Sequence, residues 1–160
     1  MTVDAAERAV AVGRGEGKVI PRPQTGGVVT VKVSSKLSGG SMTVYESTRT
    51  AGDTRGPGVH AHPSFDELFY VVEGEYEFMI GDRSLRAAEG TSIFIPRGVF
   101  HDFHSTGELP GCLLTFCTPG GIEDFFEDLA QVRPETGIEE VQDIQRKHGF
   151  RFVREEQSSS

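Results

Sequence analysis

The chain predicts an all-β domain whose helices come only at its C-terminal end, and three observations carry that expectation. Between residues 28 and 118, apolar and polar residues alternate in short runs closed by Gly, Pro or Asp, the pattern of many short strands in a sandwich or barrel. No segment of helical length and period interrupts those runs, which argues against strands joined by crossover helices. After residue 118 the apolar spacing changes from two to about 3.6 residues.

The elements follow in order. Residues 1–27 read as a loose N-terminal arm, because the first sixteen are polar and Gly13 and Gly15 break any helix. The domain proper spans 28–118. Strands are expected at 28–33 and 42–47, separated by a Ser/Gly turn at 37–41, and a glycine-rich loop covers 52–58. Further strands are expected at 67–73, 76–80, 84–86, 91–95, 99–105 and 112–117, with Gly74 and the Gly81-Asp82 pair marking reversals. Residues 119–153 read as two helices packed on the barrel. In the first, Ile122, Phe125, Phe126 and Leu129 form an apolar stripe, with Glu123, Asp124, Glu127 and Asp128 on the other side. The second runs over 138–148 and stops at Gly149. Residues 154–160 are expected to be a disordered tail.

A chain of 160 residues suits one domain and buries about 70% of the surface its unfolded form exposes, enough to hold a pocket open. Its net charge is -8, from 16 basic and 24 acidic side chains, with no basic run; nucleic acid and anionic membrane are poor partners for such a surface. No apolar run reaches the length of a membrane span, and charges within residues 1–20 leave no room for a signal peptide, so a soluble cytoplasmic protein is expected. Cys112 and Cys117 stand an odd number of residues apart on one expected strand; they read as reduced packing thiols on opposite faces.

The chemistry concentrates in residues 60–74 and 90–105. His60 and His62 project from one face of an extended stretch, and Glu67 opens the next strand after a turn through Pro63 and Asp66. His101 follows a turn fixed by Pro96 and Gly98 and completes the set from a later strand. Any one histidine here would be an ordinary core or surface residue. Together, three imidazoles and a carboxylate on apolar strand faces would be buried without partners unless they share a cation. Such a donor set suits one divalent first-row ion, with nickel, manganese, cobalt, iron and zinc all admissible.

With these positions marked, the sequence resembles a cupin. The first cupin motif, His-x-His, four residues, Glu, six residues, Gly, is matched by His60, His62, Glu67 and Gly74, although Thr54 stands where the family places a leading glycine. The second is matched by Gly90, Pro96, Gly98 and His101, with Ser105 in place of the final asparagine. The resemblance implies a jelly-roll (double-stranded β-helix) barrel with a metal on His60, His62, Glu67 and His101. The runs Glu-Leu-Phe-Tyr-Val-Val-Glu-Gly, Phe-Ile-Pro-Arg-Gly-Val-x-His and Lys-His-Gly-Phe-Arg-Phe-Val are similar to monocupins of the quercetin 2,3-dioxygenase-like group. That likeness implies a dioxygenase in which Glu67 takes the proton of a substrate hydroxyl and the resulting enolate reacts with dioxygen, with carbon–carbon cleavage. A metal-dependent polyketide cyclase, isomerase or lyase that uses no oxygen, and a non-enzymatic binding module, are the alternatives.

Strand alternation places Phe69 and Val71 on the Glu67 face and Phe103 on the His101 face, with His104 turned away. Tyr45, Tyr76, Phe78 and Phe116 are further candidates for the pocket wall. Eleven phenylalanines and no tryptophan imply an apolar interior suited to a hydrophobic aromatic ligand. Phe125 and Phe126 either pack the helix on the outside of the barrel or place one ring, Phe125 in the pocket assignment, at its mouth as a lid. The arm and the exposed strand edges favour a homodimer.

Overall fold

The structure, a computed structural model, describes residues 4–22, 27–133 and 135–153. After a 3-10 turn at Ala5–Arg8 come β1 (Lys18–Pro21), β2 (Val28–Val33), the single-turn helix α1 (Ser35–Ser38), β3 (Thr43–Arg49), β4 (His60–Ala61), β5 (Asp66–Glu73), β6 (Tyr76–Ile80), β7 (Arg83–Ala87), β8 (Ser92–Ile95), β9 (His101–Ser105) and β10 (Gly111–Thr118). The chain then forms α2 (Ile122–Ala130), α3 (Ile138–Lys147) and β11 (Arg151–Phe152). Among the described residues no helix is long and apolar enough to cross a membrane.

The strands form two antiparallel sheets, ordered β1-β2-β3-β10-β5-β8 and β11-β4-β9-β6-β7. This is a jelly-roll arrangement, but the sheets do not close into one continuous barrel: β1 and β8 are the edges of one, β11 and β7 of the other. Alternation decides the inner faces. Along β5, Glu67, Phe69 and Val71 are buried while Leu68 and Tyr70 are exposed. The core falls into two clusters. One joins Phe69, Val71, Tyr76, Phe78, Ile93, Ile95 and Leu113 between the sheets. The other joins Ile20, Val29, Tyr45 and Cys117 to Ile122, Phe125, Phe126 and Leu129 of α2 and to Phe150.

Several elements depart from the sequence reading. β1 lies within the stretch expected to be an arm and pairs with β2 from Lys18↔Val31 to Pro21↔Val28; with one apolar residue buried, Ile20, it carries almost no strand pattern. The Ser/Gly turn begins with α1, capped by the Ser34 side chain and ended by Gly39 in the left-handed region at φ 67°. β11 was not expected at all; it pairs Arg151↔Ala61 and Phe152↔His60. A bulge at Val72 of β5 shifts its pairing with β10 between Cys112 and Leu113, while β10 keeps an unbroken register with β3; both cysteines are free and buried. The expected disordered tail, 154–160, lies outside the described residues, as do 1–3 and 23–26 of the arm.

α2 is pinned in place from its first turn. Glu123, expected on the polar side, is buried, and its carboxylate accepts from the Ser35 backbone N–H and the Thr43 hydroxyl. Thr43 Oγ1 in turn accepts from Gly121 N at 2.9 Å. At the other end, His148 Nε2 lies 2.6 Å from Asp128 Oδ2 and ties α3 to α2. Gly149, at φ 80°, reverses the chain, and Phe150 N returns to Gln145 O at 3.0 Å, dropping the Phe150 ring onto the sheets.

Candidate metal centre

β4 is only two residues long, yet it sits in mid-sheet with β11 on one side and β9 on the other, His60 registering with both Phe152 and His101. Two turns orient the imidazoles. His60 Nδ1 donates to Gly58 O at 2.6 Å and His101 Nδ1 to Val99 O at 2.9 Å, which leaves the Nε2 lone pair of each ring facing inward. The turn before His101 also clamps the His62 segment: Gly98 N donates to His62 O at 2.8 Å, and Asp66 Oδ1 accepts from Arg97 N at 2.8 Å. The Arg97 guanidinium closes the same carboxylate from the side.

The inward atoms converge. His60 Nε2 and His62 Nε2 are 3.0 Å apart, His62 Nε2 and Glu67 Oε2 3.4 Å, and His101 Nε2 and Glu67 Oε2 3.0 Å. All four side chains are buried. With the ring hydrogen of neutral His101 on Nδ1 toward Val99 O, none lies between Nε2 and Glu67 Oε2; a protonated His101 donates to Glu67 there. Neighbouring ligands of an ion with bonds of about 2.0–2.2 Å stand roughly 3.0–3.4 Å apart, so the spacing fits a divalent cation. The ligand atoms of His60, His62 and His101 all lie within 4.8 Å of one another.

The electrostatics keep His60 and His62 neutral. Burial, reinforced by the neighbouring His101, pushes His60 down to about 3. Burial and the other two imidazoles likewise lower His62. At His101 burial also opposes charge, but the Glu67 carboxylate and the Val99 carbonyl outweigh it and the net shift is upward. A metal therefore meets uncharged imidazoles at His60 and His62 near neutral pH.

The ligands open on a cavity of about 40 Å³, lined also by Tyr45, Phe103, Ile122, Phe125, Phe126, Phe150 and Arg22. A second void of about 50 Å³ lies against it and shares Arg22, Pro57, His60, Phe125 and Phe150 as walls. The rings pack closely: Phe150 is 4.4 Å from His62 and 4.2 Å from Phe125, and Phe65 stacks on His62 at 4.5 Å. Burial raises the Tyr45 phenol well above its ordinary value, so it stays protonated.

Residues 48–117 match the family model of the cupin domain. The chain is 33% identical over 79 residues to Uncharacterized protein SCO3923 of Streptomyces coelicolor, covering 49% of this chain and 72% of that one. The chain belongs to the cupin superfamily. Protein SchB of Streptomyces halstedii is 29% identical over 97 residues, with 53% and 70% covered. Among solved structures, this cupin is similar in fold to KdgF from Halomonas sp., at TM-score 0.60 and 14% identity over 72% of this chain and 98% of that one. It is similar also to a predicted oxalate decarboxylase from Thermotoga maritima, at TM-score 0.59 and 19% identity, with 69% and 99% covered.

The cupin fold brings His60, His62, Glu67 and His101 together, and Tyr45, Phe103 and Phe125 line their cavity. It places the other expected wall residues elsewhere. Phe69, Tyr76 and Phe78 fill the cluster between the sheets, with Phe69 6.4 Å from His101 and behind it. Phe116 is half-buried opposite Leu68 on the outward face, because Thr115 and Cys117 take the inward positions of β10. Phe125 and Phe126 both reach the cavity instead of packing the helix on the outside, held there by the Glu123 anchor. Phe65, Cys117, Phe150 and Arg22 were not foreseen as site residues. Only Phe150 had a signal, as the first apolar residue after the Gly149 stop.

Proposed function

We propose that this cupin is a metal-dependent dioxygenase of a hydroxylated aromatic substrate, with Glu67 as general base. The observation that supports it best is the unpartnered Glu67 Oε2 beside His62 and His101 in a phenylalanine-walled cavity. A divalent ion held by His60, His62, Glu67 and His101 would supply Lewis acidity and an open position for a substrate oxygen. Glu67 accepts the proton of the substrate hydroxyl at Oε2. The Cys117 thiol, 3.8 Å from Glu67 Oε1, supports the carboxylate from the opposite side. Phe103, Phe125, Phe126 and Phe150 keep water from the carbanionic substrate. The aromatic enolate itself is the reductant of dioxygen, so no external electron donor is required.

The cavity constrains how substrate enters. Its 40 Å³ holds a few waters, whereas a benzene-sized ligand needs about 150 Å³. The rings of Phe125 and Phe150 must therefore swing aside and join the two voids before an aromatic ring can reach Glu67.

A second reading, a cyclase, isomerase or lyase without oxygen, draws support from Tyr45, whose protonated phenol faces the same cavity and can donate a proton. The deciding experiment is oxygen uptake with a panel of flavonols and smaller hydroxylated aromatics, in each reconstituted metal form, for wild type and Glu67→Gln. The dioxygenase predicts uptake that Glu67→Gln abolishes while retaining most of the metal. Conversion of substrate without oxygen uptake selects the second reading; full uptake by Glu67→Gln removes the assigned base.

A further inference from the structure

Arg22 follows the end of β1, and its side chain lines both the cavity of the metal ligands and the void behind Phe125 and Phe150. Its Nε is shut off from solvent and has no hydrogen-bond partner. Among the described residues no carboxylate forms an ion pair with it: Arg14, Lys18, Lys32, Arg55 and Arg97 pair with acids away from this cavity. The charge it feels most strongly is another cation, Arg49. The Phe126 ring lies 5.6 Å beneath the guanidinium and covers one face, but a ring offers no lone pair to in-plane N–H donors.

This arrangement is unfavourable by itself. Arg22 as a whole is partly exposed, but the inner nitrogen of its head, Nε, is enclosed where no protein acceptor meets it. Burial lowers its pKa to about 10, which still leaves a full cation at neutral pH. An enclosed N–H donor without an acceptor is unfavourable until a ligand supplies one. The planar fork of a guanidinium matches one group above others, a carboxylate held through two parallel N–H···O bonds.

We propose that Arg22 is the anion-recognition residue of this pocket and that the substrate is a hydroxylated aromatic carboxylate, its hydroxyl at Glu67 and its carboxylate on Arg22. The proposal rests on the reading of the substrate as a hydroxylated aromatic and narrows its class. It also accounts for Arg22 lining both voids: a ring admitted when Phe125 and Phe150 part would have Glu67 at one side and Arg22 along its length.

The test is thermal stabilisation of the purified protein by matched pairs, benzoate against benzamide and salicylate against salicylamide. It is run on wild type, Arg22→Lys and Arg22→Met, each metal-loaded and metal-depleted, because a carboxylate can also bind a metal directly. Wild type is expected to bind each carboxylate at least about tenfold more tightly than its amide. That preference should persist without metal, weaken in Arg22→Lys and vanish in Arg22→Met. Unliganded Arg22→Met should melt no lower than wild type, since it removes an enclosed donor that has no acceptor. Equal binding of acid and amide by wild type, a preference that survives Arg22→Met, or a clear fall in the melting temperature of unliganded Arg22→Met would each overturn the assignment. Oxygen uptake plays no part in these readouts. A protein that selects carboxylates through Arg22 but consumes no oxygen keeps this inference and loses the dioxygenase, and one that oxidises neutral flavonols without carboxylate selectivity does the reverse.

Discussion

Cys117 faces Glu67 across the β5–β10 ladder, its Sγ 3.8 Å from Glu67 Oε1. Burial, together with the Glu67 charge, raises the thiol well above its ordinary value, so it stays protonated and serves as a weak donor beneath the carboxylate. Cys117→Ala removes that donor and leaves little void. The expected result is unchanged metal content, a stability loss of about 1 kcal/mol, and a pH–rate profile displaced relative to wild type. Chemical denaturation, metal analysis and the profile together check it; a fall in metal content would mean that Cys117 holds the site's shape instead.

Both thiols should be unreactive in the native protein. Cys112 is pushed up to about 11, chiefly by burial, and Cys117 is raised as well. Ellman's reagent is expected to label them only in denaturant, at two thiols per chain. Rapid labelling of the folded protein would contradict the packing of β10.

Metal and fold are linked through the converging ligands. An ion that binds only the native state adds RT ln(1 + [M]/Kd), about 2.7 kcal/mol at a hundredfold excess over Kd. Chelation should therefore lower the melting temperature reversibly, and His101→Ala should remove the dependence. A melting temperature indifferent to both chelator and added divalent ions would argue against a resident metal.

The metal-free protein should be acid-sensitive, and the sign follows from the imidazoles. His60, with a folded value of about 3, and His62, also lowered, stay neutral in the fold while the unfolded chain takes up protons below about pH 6.5. The unfolded state then binds more protons, and stability falls with pH at up to about 1.4 kcal/mol per unit for each ring. His101, shifted upward, works in the opposite direction, but in the window above about 6.5. Stability measured from pH 8 to 5 should hold near neutrality and drop below about pH 6. A profile flat to pH 5 would contradict the buried neutral rings.

Phe150 touches His60, His62 and Phe125 at once. Phe150→Ala is expected to destabilise by about 3–5 kcal/mol and to merge the two voids, so that binding of bulky aromatic ligands loses its dependence on opening. Faster association of such ligands, followed in stopped flow, is the signature; unchanged association would place the barrier elsewhere.

The strands from β5 to β10 were legible because each has one buried face and a Gly, Pro or Asp stop, so alternation reports directly on burial. The four converging donors were legible for the same reason, and polar residues on inward strand positions stand out. What the sequence hid depends on contacts between distant segments. Arg22 and Phe150 reach the site from opposite ends of the chain, and their local surroundings, a short strand end and a helix stop, look ordinary. Phe116 was misplaced although alternation along β10 was available to place it: Thr115 and Cys117 point inward, so Phe116 between them points out. Glu123 looked like one more acid on a polar helix face, and only the position of Thr43 and Ser35 shows why it is buried.

β4 is held between a strand that carries a ligand and one that comes fifty residues after the last ligand, since β11 begins at Arg151 and His101 lies on β9. The ligands are therefore complete in the growing polypeptide well before Phe150 and β11 have been made. A cation that reaches the nascent sheet meets an uncovered site with open access, whereas one that arrives after synthesis has to pass the phenylalanine roof. An ion held by these ligands in the finished protein would therefore exchange only as fast as Phe125 and Phe150 part.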